Sequence, residues 1–510
     1  MRLFLTVLLL AYPQESDDES IEALIQRLGS DSFETAVRAA DALVLRDREA
    51  IPALEKALKS DHPDVRRWAE RILAEIRAFG ERMKVLLERL GSTDDEVREE
   101  AEKELRKLGA RTIPYLKSAE SSDNRNLRRR AEKLLGELGV GSGGRYGFRL
   151  GGKRNLVARG GGAQNTEDAV KRALTWLARH QSKDGSWKPT AYGDECGKTE
   201  AGGTCAPNPG NEEVEAGVTG LALLAFLGAG YSHLTKEHGF GDTVRRGLRW
   251  ILTNQDQESC IGSRKLDKYM YGHLLCAFAL IEAYGLTGSE LFKDPAQKAL
   301  DFVIASQNPG KGWRYSFKCG DNDSSVTGWA AQVLRAAVIS GLPFPRSASL
   351  GVRAWFDEVT DDDYNRVGYT TKGTGKVYIP TKNEQFHHHE TLTAMGMVSR
   401  LYLDRNLADP RLKAGAELLV RDLPQWEGND VDFYYWHHGT MALFHYDGPS
   451  GPIWARWNKA MKDALIANQN IVGCKTGSWE PVDRWSFEGG RVYATALNAM
   501  TLEVYYRYPK

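Results

Sequence analysis
The apolar positions between residues 18 and 138 recur at helical spacing, and Ser, Asp, Gly and Pro separate the runs. That pattern predicts short amphipathic helices joined by tight turns. The pattern also repeats. Leu24, Leu28, Gly29, Ser30, Leu43, Ile51, Pro52 and Leu54 reappear at one constant offset as Leu86, Leu90, Gly91, Ser92, Leu105, Ile113, Pro114 and Leu116. Arg66, Arg67, Ala69, Glu70 and Leu73 return in the same way as Arg128, Arg129, Ala131, Glu132 and Leu135. Units of this kind bury their apolar faces only against their neighbours and expose extended surfaces.

From 164 to 510 two kinds of helix alternate. Amphipathic segments are predicted to begin near Thr166, Asp242, Asp294, Ser347, Asp409 and Ile453. Between them lie segments that are apolar nearly all round, beginning near Gly217, Tyr271, Ser325, Thr391, Trp436 and Tyr493. Helices without a polar face belong inside a domain, so the first set reads as outer and the second as inner. Six of each imply an α6/α6 toroid in which the inner-helix N-termini converge on one mouth. The expected fold is therefore all-α, with N-terminal helical repeats and a C-terminal α6/α6 toroid. Residues 139–163 are rich in Gly and Arg and poor in apolar side chains, so they read as a flexible linker. Such a segment buries too little to offset its ordering entropy.

A recurring spacing marks the ends of the outer helices. Arg172-Ala173, Trp176-Leu177, Gln181 and Gly185-Ser186-Trp187 set the pattern. Arg246-Gly247, Trp250-Ile251 and Gln255 follow it, as do Lys298-Ala299, Phe302-Val303, Gln307 and Gly312-Trp313. Leu465, Gln469 and Gly477-Ser478-Trp479 form a looser copy. A glutamine near a helix end can bond exposed carbonyls and the following turn. Glycine frees that turn, and tryptophan packs over the helix end. These segments read as structural staples. They resemble the QW repeats of triterpene cyclases and the related protein prenyltransferases, over roughly residues 164 to 510. In the first unit, SDHPDVRRWAERIL and STDDEVREEAEKEL resemble HEAT-type repeats, over residues 18–138.

Charge adds mainly exclusions. The 68 Lys+Arg balance 68 Asp+Glu across 510 residues, so no global field draws the chain to nucleic acid or an anionic membrane. No nucleic-acid partner is expected. Met1, Arg2, the apolar residues from Leu3 to Ala11, and the acidic patch after Pro13 follow the order of an export signal. Residues 1–13 are assigned to it, a periplasmic or extracellular location is expected, and the run is too short for a transmembrane anchor. A frayed apolar terminus of a cytosolic protein is the alternative. None of the six cysteines has C-x-x-C spacing, which argues against a zinc ribbon. In an exported chain Cys196 and Cys205 could form a disulfide, with free thiols as the alternative.

Candidate chemistry gathers ahead of the inner helices. Asp321-Asn322-Asp323-Ser324 resembles the Asp-x-Asp-Asp motif of squalene-hopene-type cyclases. The resemblance implies Asp323 as proton donor and Asp321 as its companion, with Ser324 in place of the family's last aspartate. Protonating an alkene needs a carboxylic acid held protonated by apolar walls and a cationic partner, with aromatic rings to stabilise the cation. Tyr271, Trp329 and Trp436 are candidate rings. The alternative reading makes Asp323 an N-cap. His273, Ser325, His388, Glu390, Asp432, His437 and His438 also fall near inner-helix starts and are expected around the cavity. Imidazoles and carboxylates there could form a metal site or polarise Asp323. The prenyltransferase zinc set is not reproduced, because Ser325 stands where that family has cysteine, so the cofactor stays unspecified.

Two functions are compatible with this pattern. One is an exported binding or scaffold protein whose toroid recognises a hydrophobic or protein ligand and whose HEAT-like arm meets a protein partner. The other is a terpenoid cyclase- or prenyltransferase-like enzyme that uses Asp323 as general acid on a polyprenyl substrate.

Overall fold
The computed structural model describes residues 20–508 apart from 31, 120–121, 138–145, 150–152, 199–203, 207–209, 374–378, 380, 383 and 405. The expected export segment, residues 1–13, lies outside them. The chain is all-α and divides into two compact units, 1–138 and 139–510. No helix among the described residues is long and apolar enough to cross a membrane.

The first unit runs through α1 (Ile21–Arg27), α2 (Phe33–Arg46), α3 (Ile51–Ala57), α4 (Pro63–Leu90), α5 (Asp95–Leu108), α6 (Ile113–Ala119) and α7 (Arg125–Glu137). The two sequence copies meet inside α4. Its first half, with Ala69 and Leu73, ends one copy, and its second half, with Leu86 and Leu90, begins the next. No turn separates the copies because residues 74–81 hold no proline and the apolar stripe continues through Ile76, Phe79 and Met83. The turns that do form share a device: the carbonyls of Ser92 and Ser122 accept from the guanidinium groups of Arg98, at 2.7 Å, and Arg128.

The second unit opens with α8 (Lys153–Gly160). Its outer helices are α9 (Gln164–Arg179), α11 (Phe240–Thr253), α13 (Glu290–Ala305), α15 (Arg346–Val359), α17 (Pro410–Leu419) and α19 (Pro452–Ala467). Its inner helices are α10 (Glu215–Gly228), α12 (Tyr269–Thr287), α14 (Ser324–Ser340), α16 (Thr391–Leu403), α18 (Phe433–Tyr446) and α20 (Ser486–Leu502), followed by the short α21 (Val504–Arg507). Each inner helix packs on the next and α20 packs on α10, which closes the ring. The apolar circumference of these helices is what the closed ring requires: every residue of α10 from Gly217 to Gly228 is buried.

Two inner helices start earlier than their apolar runs. Asp432 caps α18, its carboxylate accepting from the Tyr435 N–H at 2.9 Å, so the helix begins at Phe433 rather than near Trp436. The first turn of α20 carries Gly489 and Gly490, the latter at φ 59°, and that polar, kinked start hides the helix until Val492.

The glutamines of the recurring spacing tie successive outer helices together. Gln181 Nε2 donates to Gly185 O at 2.8 Å and to Thr243 O of α11 at 3.0 Å. Gln255 reaches Pro295 O of α13, Gln307 reaches Ala348 O of α15, and Gln469 reaches Ala169 O of α9. The last of these joins the end of the ring to its beginning. Trp187, Trp313 and Trp479 each donate an indole N–H to the preceding outer helix, at Leu177 O, Val303 O and Leu465 O. Glycine is required in two of these turns. Gly185 and Gly477 have φ of 101° and 97°, and a Cβ would meet the Arg246 and Arg172 carbonyls at 2.3 and 2.1 Å.

The linker expectation for 139–163 needs correction over its described residues, 146–149 and 153–163. Within that stretch α8 is helical, and Tyr146 and Arg149 are buried in the core of the second unit. Counting apolar residues misses this, because the anchor is a guanidinium that finds a buried carboxylate, Glu282 of α12.

Candidate ligand-binding cavity
The N-termini of all six inner helices line one cavity of about 410 Å³. Its wall is mainly aromatic and aliphatic, with Leu221, Leu275, Trp329, Tyr434 and Trp485 among the contributors. Polar groups enter from Asp432, Arg484, Glu488 and His388.

A hydroxyl chain crosses one side of this wall. Tyr271 Oη donates to Ser325 Oγ at 2.8 Å, Ser325 Oγ lies 2.9 Å from Tyr434 Oη, and Trp329 Nε1 donates to Tyr434 Oη at 2.7 Å. Burial holds the Tyr271 and Tyr434 phenols above their ordinary range, so both stay neutral.

Asp323 lies behind the wall. It is wholly buried and caps α14, its Oδ1 accepting from the Val326 N–H at 2.7 Å. Its Oδ2 accepts from Tyr369 Oη at 3.3 Å, and Tyr369 Oη lies 2.6 Å from Tyr315 Oη. Both of those rings line the cavity. Burial pushes the Asp323 carboxyl up to about 6, against the Val326 N–H bond and the Arg314 guanidinium, 3.8 Å away. Asp321 does not join it. Its carboxylate is exposed and faces Arg314 at 3.7 Å.

At the start of α18, Asp432 caps the helix, lies 3.9 Å from the Arg484 guanidinium and 3.5 Å from His389 Nδ1. Asp483 is buried beside it, accepting from Tyr493 Oη at 3.1 Å and from the Phe433 N–H at 3.2 Å. Burial, followed by the charge of Asp432, raises the Asp483 carboxyl to about 7. Two carboxylates with one nearby guanidinium thus share this corner.

Of the residues expected at the cavity, Tyr271, Ser325, Trp329, His388 and Asp432 line it. The others are placed elsewhere. His273 is a wall staple, its Nδ1 accepting from the Ile261 N–H at 3.0 Å while Nε2 faces Ala299 O at 3.2 Å. Glu390 pairs with Arg366 at 2.6 Å and accepts from Thr393 Oγ1. Trp436 packs against Phe433 and Trp426. His437 meets Thr501 Oγ1 at 3.2 Å, and His438 packs against Trp329 and Tyr434. Burial holds both rings neutral, pushing His438 down to about 3 and His437 well below its ordinary value. Starting α18 at Phe433 turns Tyr434, not Trp436, toward the cavity. The histidines do not assemble a metal site here: His387 is exposed, and no set of three donors at the mouth has ligand spacing among the described residues. The Cys196–Cys205 bridge is not formed.

Sequence reading missed Tyr369, Tyr315, Tyr434 and Arg484. The first two lie outside helices, and nothing in local periodicity reports a loop side chain folded over a helix start.

Residues 21–106 match the family of HEAT repeats. No curated protein matches the chain. Among solved structures, the GH76A alpha-1,6-mannanase from Salegentibacter sp. HEL1_6 is 11% identical, with 66% of this chain and 98% of that chain covered and a TM-score of 0.45. A novel alpha-amylase from Clostridium perfringens is 13% identical, with 68% and 98% covered and a TM-score of 0.42. A protein from Actinoplanes is 13% identical, with 67% and 99% covered and a TM-score of 0.39.

Proposed function
We propose that the toroid is a binding domain whose mouth cavity takes a small, largely apolar ligand with a hydroxyl or similar hydrogen-bonding end. One observation carries this reading: the Tyr271–Ser325–Tyr434 hydroxyl chain is set into a wall that is mainly aromatic and aliphatic, into which Asp432, Arg484, Glu488 and His388 also project polar groups. A cavity of about 410 Å³ falls in the size range of small-molecule sites, roughly 300–1,000 Å³. The HEAT-like unit offers a surface for a protein partner, as stacked helical repeats do. The order of charge and apolarity in residues 2–19 supports an exported location.

A second reading, acid catalysis on a polyprenyl substrate, follows from the cyclase resemblance and is favoured by one contact. Tyr369 bridges Asp323 and the cavity, so a proton held on the Asp323 carboxyl has a hydroxyl path to a bound alkene.

Farnesol and its hydrocarbon analogue farnesene, titrated into the full chain and followed by tryptophan fluorescence, test the first reading. Saturable binding that favours farnesol and weakens about 5- to 30-fold in Tyr434→Phe is expected, the loss of roughly 1–2 kcal/mol of hydrogen bonding. Binding absent for both ligands, or unchanged in Trp329→Ala, would count against it. Turnover of the polyene, lost in Asp323→Asn, would establish the second reading.

A further inference from the structure
Away from the hydroxyl chain, four side chains from three separate parts of the second unit point at one spot. His180 follows α9, Cys196 lies in the 3-10 turn Tyr192–Lys198, Cys205 lies nine residues further on, and Cys474 lies in the 3-10 turn Gly473–Lys475. All four are buried, and their donor atoms lie within 4.8 Å of one another. His180 Nε2 is 3.3 Å from Cys474 Sγ, 3.4 Å from Cys205 Sγ and 3.7 Å from Cys196 Sγ. Ligands at about 2.3 Å for sulfur and about 2.0 Å for nitrogen around a tetrahedral ion stand roughly 3.5 Å apart along such edges.

We propose that His180, Cys196, Cys205 and Cys474 form a closed, structural zinc site. The imidazole is already prepared for it: Nδ1 faces Trp176 O at 2.8 Å and donates there, which leaves the Nε2 lone pair toward the thiols. The ring is also held by stacking on Trp176, at 4.2 Å between centroids. The Cys205 N–H points to Cys196 Sγ at 3.2 Å, the kind of donor that steadies a thiolate. Zn²⁺ with three thiolates carries one net negative charge, and the cations Arg179 and Arg491 lie within electrostatic reach of His180. Four protein ligands leave no open position, so the ion holds structure and does not activate water. Each thiol gives up its proton to solvent as the Zn–S bond forms.

The consequence reaches the cavity. Asn211, six residues beyond Cys205 in sequence, and Arg484 and Glu488, which follow Cys474, all line the cavity. Asn211 Nδ2 donates to Glu488 Oε2 at 2.9 Å, so residues that follow Cys205 and Cys474 in the chain meet at the cavity. The ion ties Cys196, Cys205 and Cys474 to His180 at the end of α9. No local spacing announces it, because Cys474 is 294 residues from His180.

The full chain, produced with zinc and dialysed, is expected to retain one zinc by elemental analysis. Cobalt exchange should give the visible bands of a tetrahedral, thiolate-rich site. Cys474→Ser should lose the metal, whereas replacing the exposed Cys319 by serine should not. Should Cys474→Ser fail to fold, alkylation of the wild-type chain decides: Cys196, Cys205 and Cys474 should be protected with zinc and labelled after chelation. A chain that stays metal-free after zinc is supplied, zinc that persists in folded Cys474→Ser, or a Cys196–Cys205 disulfide in the native protein would overturn the proposal.

Discussion

Arg149 Nη1 and Glu282 Oε2 lie 2.9 Å apart with both side chains shut off from solvent. Glu282 also accepts from Tyr508 Oη at 2.7 Å and faces Arg507 at 3.3 Å, so the carboxylate is fully engaged inside the ring. Breaking one side of such a buried pair strands the other charge, at a cost of about 3–5 kcal/mol. Glu282→Ala should therefore lower unfolding stability by that order in urea titration. Replacing both partners with apolar residues of similar volume should recover most of the loss. Equal damage from the single and double variants would show that packing, and not the stranded charge, sets the effect.

The outer-helix glutamines should rank by the quality of their bonds. Gln181 and Gln469 each satisfy two carbonyls at 2.8–3.0 Å, and Arg246 and Arg172 hold their amide oxygens. Gln255 makes longer contacts, at 3.4 and 3.2 Å. Truncation to alanine at 181 or 469 should cost about 1–3 kcal/mol, from buried groups left unpaired. Gln255→Ala should cost less. Thermal unfolding of the three variants checks the order, and a larger loss at 255 would reverse the argument.

Much of this architecture was legible because it rests on local signals. The alternation of amphipathic and apolar helices placed six inner and six outer elements, and the glutamine and tryptophan spacing fixed how they are riveted. The cavity was legible only in outline. Tyr271, Ser325 and Trp329 follow from a correct start for α12 and α14, whereas a start three residues late on α18 exchanged Tyr434 for Trp436. Arg149 and the His180–Cys474 contact were not legible at all, since they join residues far apart in the chain through polar groups that carry no periodicity.

Asp323 gives stability a pH dependence with a defined sign. Its carboxyl is raised from 3.8 to about 6 in the folded protein, so the folded state holds the proton more tightly than the unfolded chain. The associated stability is fully present below pH 3.8 and is lost as pH rises through about 6, a difference of at most about 3 kcal/mol. Asp483, raised to about 7, acts in the same direction and remains in the background. Asparagine caps a helix as aspartate does. Asp323→Asn should therefore flatten the loss of stability between pH 4 and 6 and be more stable than wild type at pH 7.5. A parallel pair of curves would mean that Asp323 is ionised at its buried position throughout.

The hydroxyl chain at the cavity wall should behave as a coupled unit rather than as separate bonds. Tyr434 Oη is the acceptor for the Trp329 indole N–H and also partners Ser325 Oγ. Tyr434→Phe leaves the indole donor and the serine short of partners at once, and a loss of about 1–3 kcal/mol is expected. Tyr271→Phe removes only one donor to Ser325 and should cost less. In a double-mutant cycle, Ser325→Ala combined with Tyr271→Phe should fall short of additivity by at least about 0.5 kcal/mol, because each change removes the same bond. Additive losses would mean that the two hydroxyls act independently, and the wall would then offer a ligand separate polar contacts instead of one connected edge.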